Sequence, residues 1–401
     1  MLETIIAPAE TIPLAAWART IRRSALQEML SLASGPGILS LALGLPAAEL
    51  FPVEAYGRAA AEVLADDPRA LQYGPPSSRL KEQVVELMSE RGVVCRPEQV
   101  FITAGAQQGL SLLARLLLEP GGTILTEEMS YPGFQQVVEP FTPRVLTVPT
   151  DLKTGMDVDS VERLLLGGER PALIYTVADG HNPLAVSLSA EKRERLAELA
   201  CLYGVPVVED DPYGFLFYGG RPSTPVRASS EEWVCYVGSF SKILAPALRV
   251  GWLVVPEALI PKLAIVKESS DIDTATFSQR AVTRFIDGGH LPTHLSGLRR
   301  EYGRRRDTML RALAAHFPEG ARWEEPSCGV FVWVELPEGV DTGELLGVAV
   351  STERIAFLPG HAFWAAAGRA PANRMRLNFS HTPPERIEEG VARLARVLRS
   401  L

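Results

Sequence analysis

Apolar positions along the chain follow two rhythms. Between residues 100 and 255 short apolar runs recur at 100–103, 123–126, 145–148, 172–177, 205–209, 233–238 and 250–255. Helical periods separate them, clearest over 105–118 and 189–203. Short runs without polar alternation suit strands buried on both faces, and amphipathic helices suit the layers that cover them. The alternation predicts an α/β fold with a mostly parallel, doubly wound sheet. After about residue 291 the pattern changes: a long charged helix over 294–316, a strand over 329–335, then further helix and strand. This change predicts a smaller α+β domain. Residues 15–34 read as an amphipathic helix ended by Gly35-Pro36-Gly37, after which the chain extends to Pro46.

Composition narrows the class. At 401 residues, with 46% hydrophobic content, the chain can bury a large core in one or two domains. Forty basic against 48 acidic side chains give a net charge of −8 without a long run of like charge, so neither nucleic acid nor an anionic membrane is an expected partner. Arg299, Arg300, Arg304, Arg305 and Arg306 stand at helical spacing among Glu301 and Asp307 and read as a solvated helix face. Cys95, Cys201, Cys235 and Cys328 lie far apart, and Cys201 and Cys235 read as small hydrophobes in apolar surroundings. A cytoplasmic location is expected, with no export signal and no run of eighteen apolar residues.

Two loops carry the candidate chemistry. Gly238-Ser239-Phe240-Ser241-Lys242 leaves a short buried strand, and Arg249 follows. An amine beside hydroxyls and a guanidinium can hold a phosphorylated aldehyde; the alternative is an exposed lysine. The run 205–209 ends in Asp210, Asp211 and Tyr213. Pyridoxal phosphate chemistry asks for a lysine that links to the aldehyde and an acid that keeps the pyridine nitrogen protonated, which makes Asp210 the candidate acid. The alternative for Asp210 is turn chemistry before Pro212. Thr103-Ala104-Gly105-Ala106-Gln107 passes from a strand into a helix, where free backbone N–H groups would meet a dianion, with Ser239, Ser241 and Arg249 completing the cradle.

With these residues the chain resembles the fold-type I pyridoxal phosphate enzymes, and within them the class I/II aminotransferases of the 2-aminoadipate and kynurenine type. The resemblance runs from Gly37–Pro46, which contains Gly44, and Glu49–Pro52, through Leu71-Gln-Tyr73, Thr103–Gln108, Ser130-Tyr131-Pro and Asn182-Pro183. It continues through Val207–Tyr213 and Gly238–Lys242 to Arg374-Met-Arg376-Leu-Asn378. It implies an amino-terminal segment over 1–43 that joins a small domain at 291–401, around a large cofactor domain at 44–290. It also implies an enzyme that moves an amino group between an amino acid and a 2-oxo acid, with pyridoxal 5'-phosphate on Lys242 and Asp210 at the ring nitrogen. Tyr131 would stack on the ring, Asn182 and Tyr213 would bond its phenolic oxygen, and Tyr73 would reach the cofactor of a partner subunit in a homodimer. Arg376 would clamp the substrate α-carboxylate, with Arg374 as competitor on the same strand face, and Gly44, Asn182, Ser24 and Gln27 would lie by the substrate.

Several positions depart from the family pattern. Ala106 replaces a Ser or Thr common in relatives, and Ala178-Asp-Gly-His181-Asn182-Pro183-Leu184-Ala185 replaces Pro-x-x-Gln-Asn-Pro-Thr-Gly. Gln27 stands where some relatives carry an arginine for a distal carboxylate. His181 reads as either a local acid–base group or a surface imidazole. These departures leave room for elimination, substitution, cyclisation or decarboxylation on the same fold. A third reading, a ligand sensor, would carry a basic DNA-binding module, and only about forty residues precede the large domain here.

Overall fold

The computed structural model describes residues 12–15, 17–19 and 35–400. Most of the helix expected over 15–34, with Ser24 and Gln27, lies outside the described residues. All seven expected apolar runs form one sheet, in the order Val100–Thr103, Gly251–Val254, Val234–Ser239, Val207–Asp211, Leu173–Thr176, Thr123–Glu127, Arg144–Val148. Every pairing is parallel except the two made by Gly251–Val254.

Successive side chains of a strand point to opposite faces, and the sheet is covered on both. Ile174 and Val207 pack with Val161, Leu165, Leu196 and Leu199 from the helices Val158–Leu166 and Ala190–Tyr203. Leu173, Tyr175 and Val208 face the other layer with Leu110 and Leu113 of the helix Ala106–Leu117. Strand tips with no side open to water leave the carboxyl ends of Val207–Asp211 and Val234–Ser239 as the place where polar residues can project, as in other α/β sheets.

A second, four-stranded antiparallel sheet runs in the order Arg322–Trp323, Phe331–Glu335, Arg374–Asn378, Leu358–Pro359. Leu39–Ser40 pairs in parallel with Ile355–Ala356 in a separate two-stranded sheet. The helix expected over 294–316 begins earlier, at His290. Pro292 falls in its first turn, where the missing N–H has no intrahelical acceptor to lose.

Three sequence expectations are corrected. The arginine cluster is not a plain solvated face: Arg305 is buried, donating to Glu301, Glu49 and the Ser380 carbonyl, and Arg299 lies over the Phe217 ring at 4.1 Å. Guanidinium groups reach buried carbonyls and aromatic faces because they are weakly hydrated for cations. Cys201 is exposed, on the outer side of its helix, whereas Cys235 is buried in the sheet. His181 is buried, with its ring 2% exposed, and is no surface imidazole.

Candidate active site

One cavity of about 290 Å³ opens at the carboxyl ends of the sheet strands and reaches the second sheet. The expected residues Gly44, Ala106, Gln107, Tyr131, Asn182, Asp210, Tyr213, Ser239, Ser241, Lys242, Arg249 and Arg376 all line it. Residues some 300 positions apart in sequence thus meet in one chamber. Gly105 stands at its edge, and Tyr73 does not reach it. Tyr73 is 80% exposed and lines a separate cavity with Gly74, Lys81 and Lys267.

Lys242 leaves the sheet just after Ser239 and turns inward. Its Nζ donates to the Gly44 carbonyl at 2.6 Å, and no carboxylate pairs with it among the described residues. Burial, helped by the positive charges of Arg376 and Arg249, lowers its pKa to about 8. The amine is therefore far readier to lose its proton than an exposed lysine.

Asp210 ends the Val207–Asp211 strand. Its Oδ2 accepts from the Tyr175 hydroxyl at 2.8 Å, while its buried Oδ1 has no partner. Burial raises its pKa to about 7, against the hydrogen bond from Tyr175, which lowers it. Such a carboxyl calls for a cationic N–H, since an unpaired buried anion is costly.

Arg376 faces inward from the Arg374–Asn378 strand. It donates from Nη1 to Asn182 Oδ1 at 2.6 Å and from Nη2 to the Ala42 carbonyl at 2.7 Å. Its guanidinium carbon lies 4.0 Å from the centre of the Phe331 ring and 4.9 Å from that of Phe363. Burial lowers its pKa to about 10, its Nε has no partner, and no carboxylate pairs with it among the described residues. Arg374, by contrast, is spent on Glu335 at 3.2 Å at the outer end of the strand. Of the two arginines, Arg376 lines the cavity and Arg374 does not.

The phosphate side of the cavity combines several donors. Gly105 caps the helix Ala106–Leu117 at φ 82°, a conformation other residues adopt with strain. A Cβ there would lie 2.5 Å from Arg249 Nη2, so glycine is also needed for the guanidinium to approach. The first-turn N–H groups of this helix have no intrahelical acceptor, which offsets the missing hydroxyl at Ala106. Ser239 Oγ donates to Ser241 Oγ at 2.9 Å, and Arg249 donates to the Ala104 carbonyl at 2.9 Å.

Sequence reasoning missed Tyr175, Phe331 and Phe134. Tyr175 sits 1% exposed and stacks on Phe134 at 3.7 Å, which holds its hydroxyl on Asp210. A tyrosine in a fully apolar run was the available signal, because a buried hydroxyl needs a partner. Phe331 opens a strand that was expected, but nothing local says that its ring packs on an arginine from a strand more than forty residues later.

These residues fit pyridoxal phosphate. The orphaned Asp210 Oδ1 suits a protonated pyridine nitrogen, the lowered Lys242 suits an aldehyde, and the crowded cradle at Gly105 and Arg249 suits a phosphate. Comparison with known proteins agrees. An aromatic-amino-acid aminotransferase of Thermococcus litoralis is 40% identical over 94% of this chain and 92% of its own. The solved kynurenine aminotransferase of Pyrococcus horikoshii, in complex with PMP, superposes with a TM-score of 0.91 at 37% identity, over 96% of this chain and 97% of its own. The alpha-aminoadipate aminotransferase of Thermus thermophilus, complexed with N-(5'-phosphopyridoxyl)-L-leucine, gives 0.88 at 36%, over 96% and 97%. Nothing in these likenesses favours elimination, substitution, cyclisation or decarboxylation. The family model described as aminotransferase class I and II matches residues 37–394. The chain therefore belongs to the class I and II aminotransferases, pyridoxal phosphate enzymes that pass an amino group between an amino acid and a 2-oxo acid.

Proposed function

We propose that this site transaminates monocarboxylic amino acids, with Lys242, Asp210 and Arg376 as its working groups. One observation carries the reading: three ionisable side chains without an ionic partner among the described residues, Asp210 and Arg376 buried and Lys242 partly so, line a single cavity. Each fits one part of the reacting pair: aldehyde carbon, ring nitrogen and substrate carboxylate. When bound, pyridoxal phosphate supplies an aldehyde that links to amines and a ring that accepts the electrons released at the substrate Cα.

The side chains divide the rest of the work. The free N–H groups of Arg376 take the α-carboxylate bidentately and so orient the Cα–H bond. Lys242 Nζ, with its lowered proton affinity, removes the Cα proton as general base. Asp210 holds a proton at the ring nitrogen, and Tyr175 keeps its carboxyl turned. Tyr131, Asn182 and Tyr213 would surround the ring, and Gly105, Ala106, Gln107, Ser239, Ser241 and Arg249 would hold the phosphate. Gly44 accepts from Lys242 and leaves room for Phe331, whose ring a Cβ there would meet at 3.0 Å.

The substrate class follows from the walls. Lys242, Arg249 and Arg376 are the cations among the described residues that line the cavity, and each is engaged. Among the described residues of this cavity a distal carboxylate would find no further counter-charge, a penalty on the order of several kcal/mol. Glutamate and 2-aminoadipate are therefore expected to show kcat/KM about a hundredfold or more below phenylalanine or leucine. Steady-state comparison of acidic, aromatic and aliphatic donors decides it, and an acidic donor in first place would defeat the proposal. Gln27→Arg should raise acidic-donor use.

The assembly is a homodimer in which Tyr73 completes a partner's site, and the chain divides at 1–43, 44–290 and 291–401. The support is a set of exposed apolar side chains, Leu71 and Tyr73 with Ile265 and Ile272, each more than 60% exposed, of which Tyr73 and Ile272 line one cavity apart from the site. Mixing inactive Tyr73→Phe chains with Lys242→Ala chains should restore activity through hybrid dimers. A fully active monomer in sedimentation would exclude shared sites. The compartment is the cytoplasm, in keeping with four unpaired cysteines. Among the described residues no helix is long and apolar enough to cross a membrane.

A further inference from the structure

Asn182 sits in the loop that departs most from the family pattern, and its neighbours are buried to an unusual degree. Asp179 accepts from Arg193 Nη2 at 2.7 Å and from Arg91 Nη2 at 2.8 Å, with all three side chains buried. Gly180, at φ 55°, lies against the backbone of the second sheet's approach; a Cβ there would come within 2.8 Å of Gly329 Cα. The main chain then closes on His181: its N–H donates to the Val186 carbonyl at 2.8 Å, and its carbonyl accepts from Ala185 at 2.6 Å. Ala185 itself stands at φ 61°, a strained position that persists only where the surroundings over-determine it.

The His181 ring supplies that determination. Its Nδ1 accepts from the Leu184 N–H at 3.4 Å, which leaves the ring proton on Nε2. Nε2 faces Glu127 Oε1 at 3.6 Å, with both side chains 2% exposed. The same Glu127 oxygen accepts from the Thr176 hydroxyl at 3.1 Å, and its Oε2 has no partner. The 3.6 Å gap is longer than a hydrogen bond, but the imidazole is a close polar neighbour of a buried carboxyl that accepts one bond, from Thr176. One residue on, Asn182 Oδ1 accepts from Arg376 at 2.6 Å.

We infer that His181, seated on Glu127, is a positioning residue that sets Asn182 and, through it, the fork of Arg376 toward the substrate carboxylate. The inference rests on the reading of Arg376 as the carboxylate clamp. Histidine here takes the place of the glutamine of typical relatives and anchors to a carboxyl deeper in the sheet. A bidentate clamp loses affinity when its fork turns by a few degrees.

The test uses the cofactor-loaded enzyme and 3-phenylpropionate, a monocarboxylate without an amine. In His181→Ala its Kd, by calorimetry, is expected to rise about tenfold, and kcat/KM for phenylalanine to fall at least as far, while cofactor retention stays at the parent's level. His181→Gln, which keeps a donor toward Glu127, should stay within about threefold of the parent, and Glu127→Gln should weaken binding while cofactor retention is kept. An unchanged Kd in His181→Ala overturns the inference; should that variant fold poorly, an unchanged Kd in Glu127→Gln does the same. So does a loss shared equally by kcat and cofactor retention, which marks general damage. Arg376→Lys in the same assay separates the layers. If it binds 3-phenylpropionate as well as the parent, the Arg376 reading fails; if it binds weakly while His181→Ala binds normally, only the present inference fails.

Discussion

Lys242→Ala is expected to lower transamination about ten-thousand-fold, since one side chain supplies both the covalent anchor and the general base. Borohydride treatment of the parent enzyme followed by peptide mapping should place the pyridoxyl group on Lys242; a label on another lysine ends this reading. The pH dependence has a definite sign. A protonated amine does not attack an aldehyde, and burial with Arg376 and Arg249 nearby lowers the Lys242 pKa to about 8. Cofactor uptake by the cofactor-free protein should therefore quicken as the pH climbs to about 8 and level off above it. A rate that keeps climbing to the range of an ordinary exposed lysine, above about pH 10, would mean that the amine is not the one buried here.

Asp210→Asn should cut turnover by about a thousandfold, the scale on which removing one aimed electrostatic group acts. The protein should still bind its cofactor, because the cradle proposed for the phosphate, Ser239, Ser241, Arg249 and the helix Ala106–Leu117, does not include Asp210. An amide cannot keep the ring nitrogen protonated, whereas the carboxyl, with Oδ1 unpartnered and Oδ2 held by Tyr175, is set to do so. Near-normal turnover with full cofactor occupancy would show that the reaction does not need that proton. A 15N NMR shift of the bound ring nitrogen between parent and variant reads the same event directly.

Much of this was legible in the residues themselves. The seven apolar runs are strands because short unbroken apolar stretches can be satisfied only when covered on both faces, and the helices that cover them carry their own period. The amine, the acid and the small-residue turn were visible because their chemistry depends on residue type and on place at a strand end. Arg376 was legible only through family likeness: spacing alone left it level with Arg374.

What stayed hidden was decided by distance along the chain. Burial of His181 depends on Glu127, more than fifty residues earlier, and Arg305 is buried because Glu49 and Ser380 come to it from opposite ends of the sequence. Cys201 and Cys235 have similar apolar neighbours in sequence, yet one lies on the open side of a helix and the other inside the sheet. Tyr175 became part of the site only when sheet pairing set its strand beside Val207–Asp211. Local pattern determined which elements form and which groups carry reactive chemistry, because both follow from residue type and period. Tertiary structure alone decided which polar groups lost their water and which partners replaced it, and so where Lys242 sheds its proton and where, among the described residues, Arg376 meets no carboxylate and one oxygen of Asp210 meets no donor.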